Sequence, residues 1–131
     1  MLIQFAADKT LDETATALQA AVVANSFGVM HVHNLQETMA KKGVEFDREC
    51  LIFEVCQPLQ AKKVLEQNMS VSAALPCRIS LYREGGKTML ATLKPTRLLD
   101  MFHTPQLAGV AQEVEDTLVK IMQEAANVGN A

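Results

Sequence analysis

The chain reads as an α+β protein in which an antiparallel-rich sheet is covered by helices. Three observations predict this: five short runs alternate apolar and polar residues, several stretches repeat apolar residues at helical spacing, and "REGGK" joins two of the strand-like runs through a hairpin turn. At 131 residues the chain fits one domain, 1–131, long enough to bury its own core.

The first strand is "LIQF", followed by Asp8 and Thr10 as capping residues. From Leu11, "LDETATALQAAVVANS" predicts a helix with Leu11, Ala15, Leu18, Val22 and roughly Val23 on one face and with Asp12 and Glu13 in its first turn. Asn25 and Ser26 end it. A strand then runs from Phe27 to Leu35, Gly28 allowing a bend or close approach. Simple alternation puts Phe27, Val29, His31, His33 and Leu35 on one face, and Met30, Val32 and Asn34 on the other. "QETMAKKG" is a short helix stopped at Gly43.

"ECLIFEVC" is the most strand-like run, with Leu51, Phe53 and Val55 opposed to Cys50, Ile52, Glu54 and Cys56. Pro58 suits the first turn of a helix carrying Leu59, Ala61, Val64 and Leu65 on its apolar face. "NMSVSAALP" is a connector with room for a helical turn. "CRISLYR" and "KTMLATL" form the hairpin, "KPTRLLDMFH" a loop with a short helix, and Thr104-Pro105 starts a last helix reaching about Ala126. That helix buries Leu107, Val110, Ala111, Val114, Leu118, Ile121 and Met122. No repeat, linker or low-complexity tract interrupts the order. Five strands leave one sheet face open, and an apolar open face is commonly hidden in a symmetric dimer.

Composition narrows the function classes. Half of the residues (49%) are apolar and 21% are charged, an ordinary globular balance. A formal charge of -3 with scattered lysines and arginines supplies no electropositive footprint, which argues against nucleic acid as a partner. No run of about eighteen apolar residues and no signal-like start is present, so the expectation is a soluble, cytoplasmic protein without a membrane partner. Cys50, Cys56 and Cys77 are then expected as free thiols.

"FGVMHVHNLQETMAKKG", "LIFEVCQPLQAKKVLEQ" and "ALPCRISLYREGGKTMLATLKP", in that order from about Phe27 to Pro95, resemble the domain of unknown function 302 family. The resemblance rests on Cys56 and Pro58 of "CQP" and on Leu75, Pro76 and Cys77 of "LPC". It implies a TATA-box-binding-protein-like fold, strand, helix, four strands, helix with inserted helices, and assembly as a homodimer. It implies no activity, and the fold name implies no DNA binding. Gln57 stands where the family usually has asparagine. His31 and His33 stand where an acidic residue is frequent.

The candidate site is built on the cysteines. Cys56 precedes a helix, and a helix N-terminus lowers a thiol's pKa through backbone N–H groups and the dipole. If Cys56 and Cys77 meet at one rim of the sheet, a redox pair, a soft-metal site or a sulfur carrier becomes available. Against this stands the plain reading of cysteine as a small apolar residue under a helix. Cys56, Pro58 and Cys77 are therefore the expected ligand-binding residues, and Cys56 with His31 and His33 a candidate set for copper, zinc or haem iron. Alternating histidines on a half-exposed strand are, however, common without any ligand. His103 is a third histidine, in a loop, and reads as a surface residue. Glu54 lies in reach of the histidines with nothing to define it as an acid or base.

No Gly-x-Gly-x-x-Gly, P-loop or Gly-x-Ser-x-Gly occurs, so no catalytic residue is assigned. The leading expectation is a non-enzymatic homodimer that binds a small ligand or metal near Cys56 and Cys77, in sulfur or metal handling. The alternatives are an enzyme with Cys56 as nucleophile or redox centre, Cys77 resolving it and a histidine as base, and an interaction module with inert cysteines.

Overall fold

A computed structural model describes residues 1–126. Its strands are β1 (Leu2–Ala7), β2 (Gly28–Asn34), β3 (Cys50–Cys56), β4 (Cys77–Glu84) and β5 (Lys87–Leu93). They form one sheet in the order β1-β5-β4-β3-β2 with every neighbouring pair antiparallel. The helices are α1 (Leu11–Ala24), α2 (Leu35–Lys41), α3 (Pro58–Gln67), α4 (Pro95–Asp100) and α5 (Ala108–Ala126), with 3-10 helices at Met69–Ala74 and Pro105–Leu107. The expected α+β class holds, and none of the described helices is long and apolar enough to cross a membrane.

Local chemistry accounts for the element ends. The Thr10 side chain accepts from the Glu13 N–H while Glu13 accepts from the Thr10 N–H, a reciprocal cap that starts α1. Asp8 does not cap: its carboxylate lies 2.8 Å from Lys87 Nζ, which holds it below the usual carboxylate range through hydrogen bonding and charge. Gly85 and Gly86 both have positive φ between the paired Glu84 and Lys87, the backbone of a two-residue hairpin that only glycine adopts freely.

α1 and α5 pack on each other and on one face of the sheet. Leu18 and Val22 from α1, Leu118, Ile121 and Met122 from α5, and Phe53, Val55, Ile79, Leu81 and Leu90 from the strands make a fully closed core. Each such side chain contributes about 1.5–3 kcal/mol by leaving water. The three buried threonines each donate to a main-chain carbonyl: Thr14 to Thr10, Thr88 to Lys9 and Thr92 to Arg78. Val23, expected on the buried face of α1, is 69% exposed, because Thr14 and Ala21 take the inward positions.

The other sheet face carries a mixed set of residues: Gln4, Ser80, Ile52 and His33 follow one another across it in register through Ala91. A β-bulge between Val29 and His31 corrects the alternation expected for β2. The extra residue lets Val29 pair with Val55 and Val32 with Phe53 and pack on the core, while His31 and His33 both stay on the open face. Gly28 is not needed for a close approach, since a Cβ there would meet the Cys56 carbonyl at an ordinary 3.9 Å.

Candidate functional site

Three chain connections converge on one end of the sheet: β3 into α3, the 3-10 helix into β4, and β5 into α4. At the first, Gln57 is the helix cap, its Oε1 accepting from the Gln60 N–H at 2.8 Å, and Pro58 occupies the first turn, where its missing N–H costs nothing. At the second, the chain passes through a cis Leu75–Pro76 bond into Cys77, which lies opposite Val55. At the third, α4 begins at Pro95 and is held to α5 by Thr96, whose hydroxyl donates to Glu115 at 2.6 Å.

Between these connections lies a cleft of about 300 Å³. Phe27, Val55 and Cys77 line it from the sheet side, Val64 from α3, Leu98 and Leu99 from α4. It separates the main core from a smaller cluster of Val64, Val71, Leu99, Leu107 and Ala111. The lining is mostly apolar, and Arg78 is its one charged residue among those described. Gln60 contributes a fixed amide: its Nε2 donates to Glu113 at 2.9 Å, and its Oε1 is buried with no partner among the described residues.

Cys56 and Cys77 both border this cleft, as expected of a shared rim. All three cysteines are free thiols. The ionisation of Cys56 runs opposite to the expectation from the helix N-terminus. Burial pushes the Cys56 thiol up, and burial followed by the nearby Cys56 pushes Cys77 up to about 11. Two local features explain why α3 does not activate Cys56. Pro58 has no N–H, and the Gln60 N–H is already taken by the Gln57 cap. Pro58, the third expected ligand-binding residue, lies instead on a neighbouring groove between β2 and α3, which Cys56 also borders. Leu59, expected on the apolar face of α3, is 68% exposed, and only Val64 of that helix is fully buried.

The histidines belong to a different place. His31 and His33 face each other edge to face with ring centres 4.3 Å apart on the open sheet face. His33 Nε2 stands 3.4 Å from Glu54 Oε2, which is also 3.5 Å from Arg78 Nη2. Among the described residues no group of three His, Cys, Asp or Glu side chains is placed to hold a metal ion, so Cys56, His31 and His33 are not gathered into one site. Cys50 lies at the far end of β3, opposite Tyr82. His103 has a left-handed backbone (φ 51°) and borders a separate hollow between α4 and α5.

Arg78, Gln60 and the α4 leucines were not singled out from the sequence. The available signal was "QPLQ", in which the first glutamine caps the helix and the second sits on its inner side, three residues on.

Fold and cleft together define a small α+β protein with a closed core and a ligand-sized cleft at the sheet's end. The chain belongs to the DUF302 family: the model of that family, Domain of unknown function DUF302, matches residues 3–125. Among solved structures it is similar to the crystal structure of the uncharacterized conserved protein DUF302 from Bacillus stearothermophilus. The two share 30% sequence identity over 95% of this chain and 97% of that one, with a TM-score of 0.90. No curated protein matches the chain. The resemblance carried by "CQP" and "LPC" thus extends over nearly the whole sequence.

Proposed function

We propose that the chain is a non-enzymatic binding protein whose cleft takes a small, largely apolar ligand beside Cys56 and Cys77. The observation that carries this reading is the cleft itself. Its roughly 300 Å³ falls at the lower end of the range for small-molecule sites, about 300–1,000 Å³. A void of this size between two hydrophobic clusters forfeits packing that a ligand restores.

The thiol environments support binding over covalent chemistry. A nucleophilic, redox or sulfur-carrying cysteine reacts as thiolate, and both thiols here are held protonated by burial. A second reading, a soft metal ion held by the two sulfurs, is favoured by their bordering one cleft, where Cys56 adds to the upward shift that burial imposes on Cys77. Two thiols without a third donor suit two-coordinate copper(I) and not tetrahedral zinc.

The element order supports a TATA-box-binding-protein-like fold within a single domain. The half-covered sheet face, with Leu2, Met30 and Leu93 exposed, supports a homodimer. Three free thiols accord with a reducing cytoplasm.

The test is calorimetric titration of the full chain with 1-octanol, beside the Ala61→Phe variant, which plugs the cleft. Saturable one-to-one binding that the variant abolishes is expected. Absence of binding, or equal binding by the variant, contradicts the reading.

A further inference from the structure

The charge distribution around the cleft narrows its ligand class. The cleft walls carry no aspartate, glutamate or lysine among the described residues, and Arg78 is their single charge. Its side chain is 64% exposed and its only charged partner among the described residues, Glu54, stands at 3.5 Å, beyond a short charge-assisted hydrogen bond. The rest of the guanidinium fork makes no hydrogen bond within the described residues. Glu54 keeps a second neighbour, His33 Nε2 at 3.4 Å, when Arg78 turns away.

A second donor points the same way. The Gln57 Oε1 is committed to the Gln60 N–H, and the Gln57 amide NH₂, on a residue that lines the cleft, has no partner among the described residues. The one buried side-chain acceptor without a partner among the described residues, Gln60 Oε1, is sealed from solvent and offers nothing to a cationic head. Arg78 borders the cleft near the start of β4 while its guanidinium reaches Glu54 on the open sheet face, so the charge lies at the cleft's outer edge and the apolar walls form its interior.

Resting on the small-ligand reading above, we propose that the ligand is an amphipathic monoanion. Its apolar chain or ring fills the cleft, and its carboxylate pairs with the Arg78 guanidinium at the mouth, with the Gln57 amide as second donor. A planar guanidinium matches a carboxylate through two parallel N–H bonds, which an alcohol cannot reproduce.

Octanoate, 1-octanol and octylammonium share one chain and differ in head group, so their titration into the full chain at neutral pH isolates the charge. Octanoate is expected to bind about tenfold or more tightly than 1-octanol, since hydrogen bonds to charged groups outweigh neutral ones. Octylammonium is expected to bind more weakly than both. In Arg78→Met the octanoate affinity should fall to that of 1-octanol, while 1-octanol binding stays within about twofold and so reports an intact cleft. Equal binding of octanoate and 1-octanol to the unmodified chain, a preference for octylammonium, or a carboxylate preference surviving in Arg78→Met each overturns the monoanion assignment and leaves the cleft reading standing. Failure of all three probes to bind overturns both.

Discussion

The described residues form two hydrophobic clusters, and these differ in how they close. The larger, fifteen buried residues, is sealed because two long helices bring Leu18, Leu118, Ile121 and Met122 down onto a flat strand face. The smaller, five buried residues, is assembled from the ten-residue α3, the six-residue α4, short 3-10 pieces and only the first turn of α5, through Ala111. Its facing positions are often alanine: Ala61, Ala73 and Ala74 line the gap and are too short to cross it. Packing is therefore complete where elements are long and side chains large, and space is left where connections and small residues meet. The difference teaches that the cleft is a consequence of composition at the sheet's end and not of a loose fold.

The sharpest way to break the comparison is to truncate one side chain in each cluster. Leu118→Ala should cost about 3–5 kcal/mol, because the surrounding core cannot collapse onto the void. Leu99→Ala should cost less, about 2–3 kcal/mol, since its neighbours already border open space. Urea unfolding of both variants reads the difference, and equal losses would remove the distinction.

Next comes the alkaline limb of stability. The Cys77 thiol is raised from 9.0 to about 11 in the folded chain, so folding favours its protonated form. Its contribution is fully present below the unfolded pKa and is lost as pH rises through the folded one. Stability should fall by up to about 1.4 kcal/mol per pH unit between roughly pH 9 and 11. Denaturation at stepped pH should show this limb flattened in Cys77→Ala.

A smaller effect belongs to the closed half alone. Thr10→Ala removes the α1 cap and should cost about 1 kcal/mol with no change in 1-octanol affinity. The smallest concerns reactivity: a thiol reagent at neutral pH should label Cys56 more slowly than a free cysteine, with no fast phase. A burst of labelling would return Cys56 to the class of activated nucleophiles.

Much of this was legible in the sequence because period and caps are local. The strands, the hairpin glycines and the helix starting at Pro58 all follow from neighbours within a few residues. The bulge at β2 was not legible, since strict alternation is the only pattern a strand reading assumes, and it placed Val29 with the histidines. The meeting of Cys56 and Cys77 was legible as a possibility only, because it depends on the β3–β4 register that sets Val55 opposite Cys77. For Cys56 the helix terminus was visible in the sequence, but the burial that outweighs it is a property of the assembled cleft. Arg83 is another nonlocal case, its guanidinium donating to the Lys9 carbonyl and to Thr88 near the hairpin's turn.

The most direct measurement of the central claim is an anomalous-scattering map from a crystal of the full chain pressurised with xenon. Xenon enters apolar cavities of ligand size and avoids packed or wet ones. A peak between Phe27 and Leu99 is the expected result. A map with no peak there, or with peaks only outside the cleft, would contradict it.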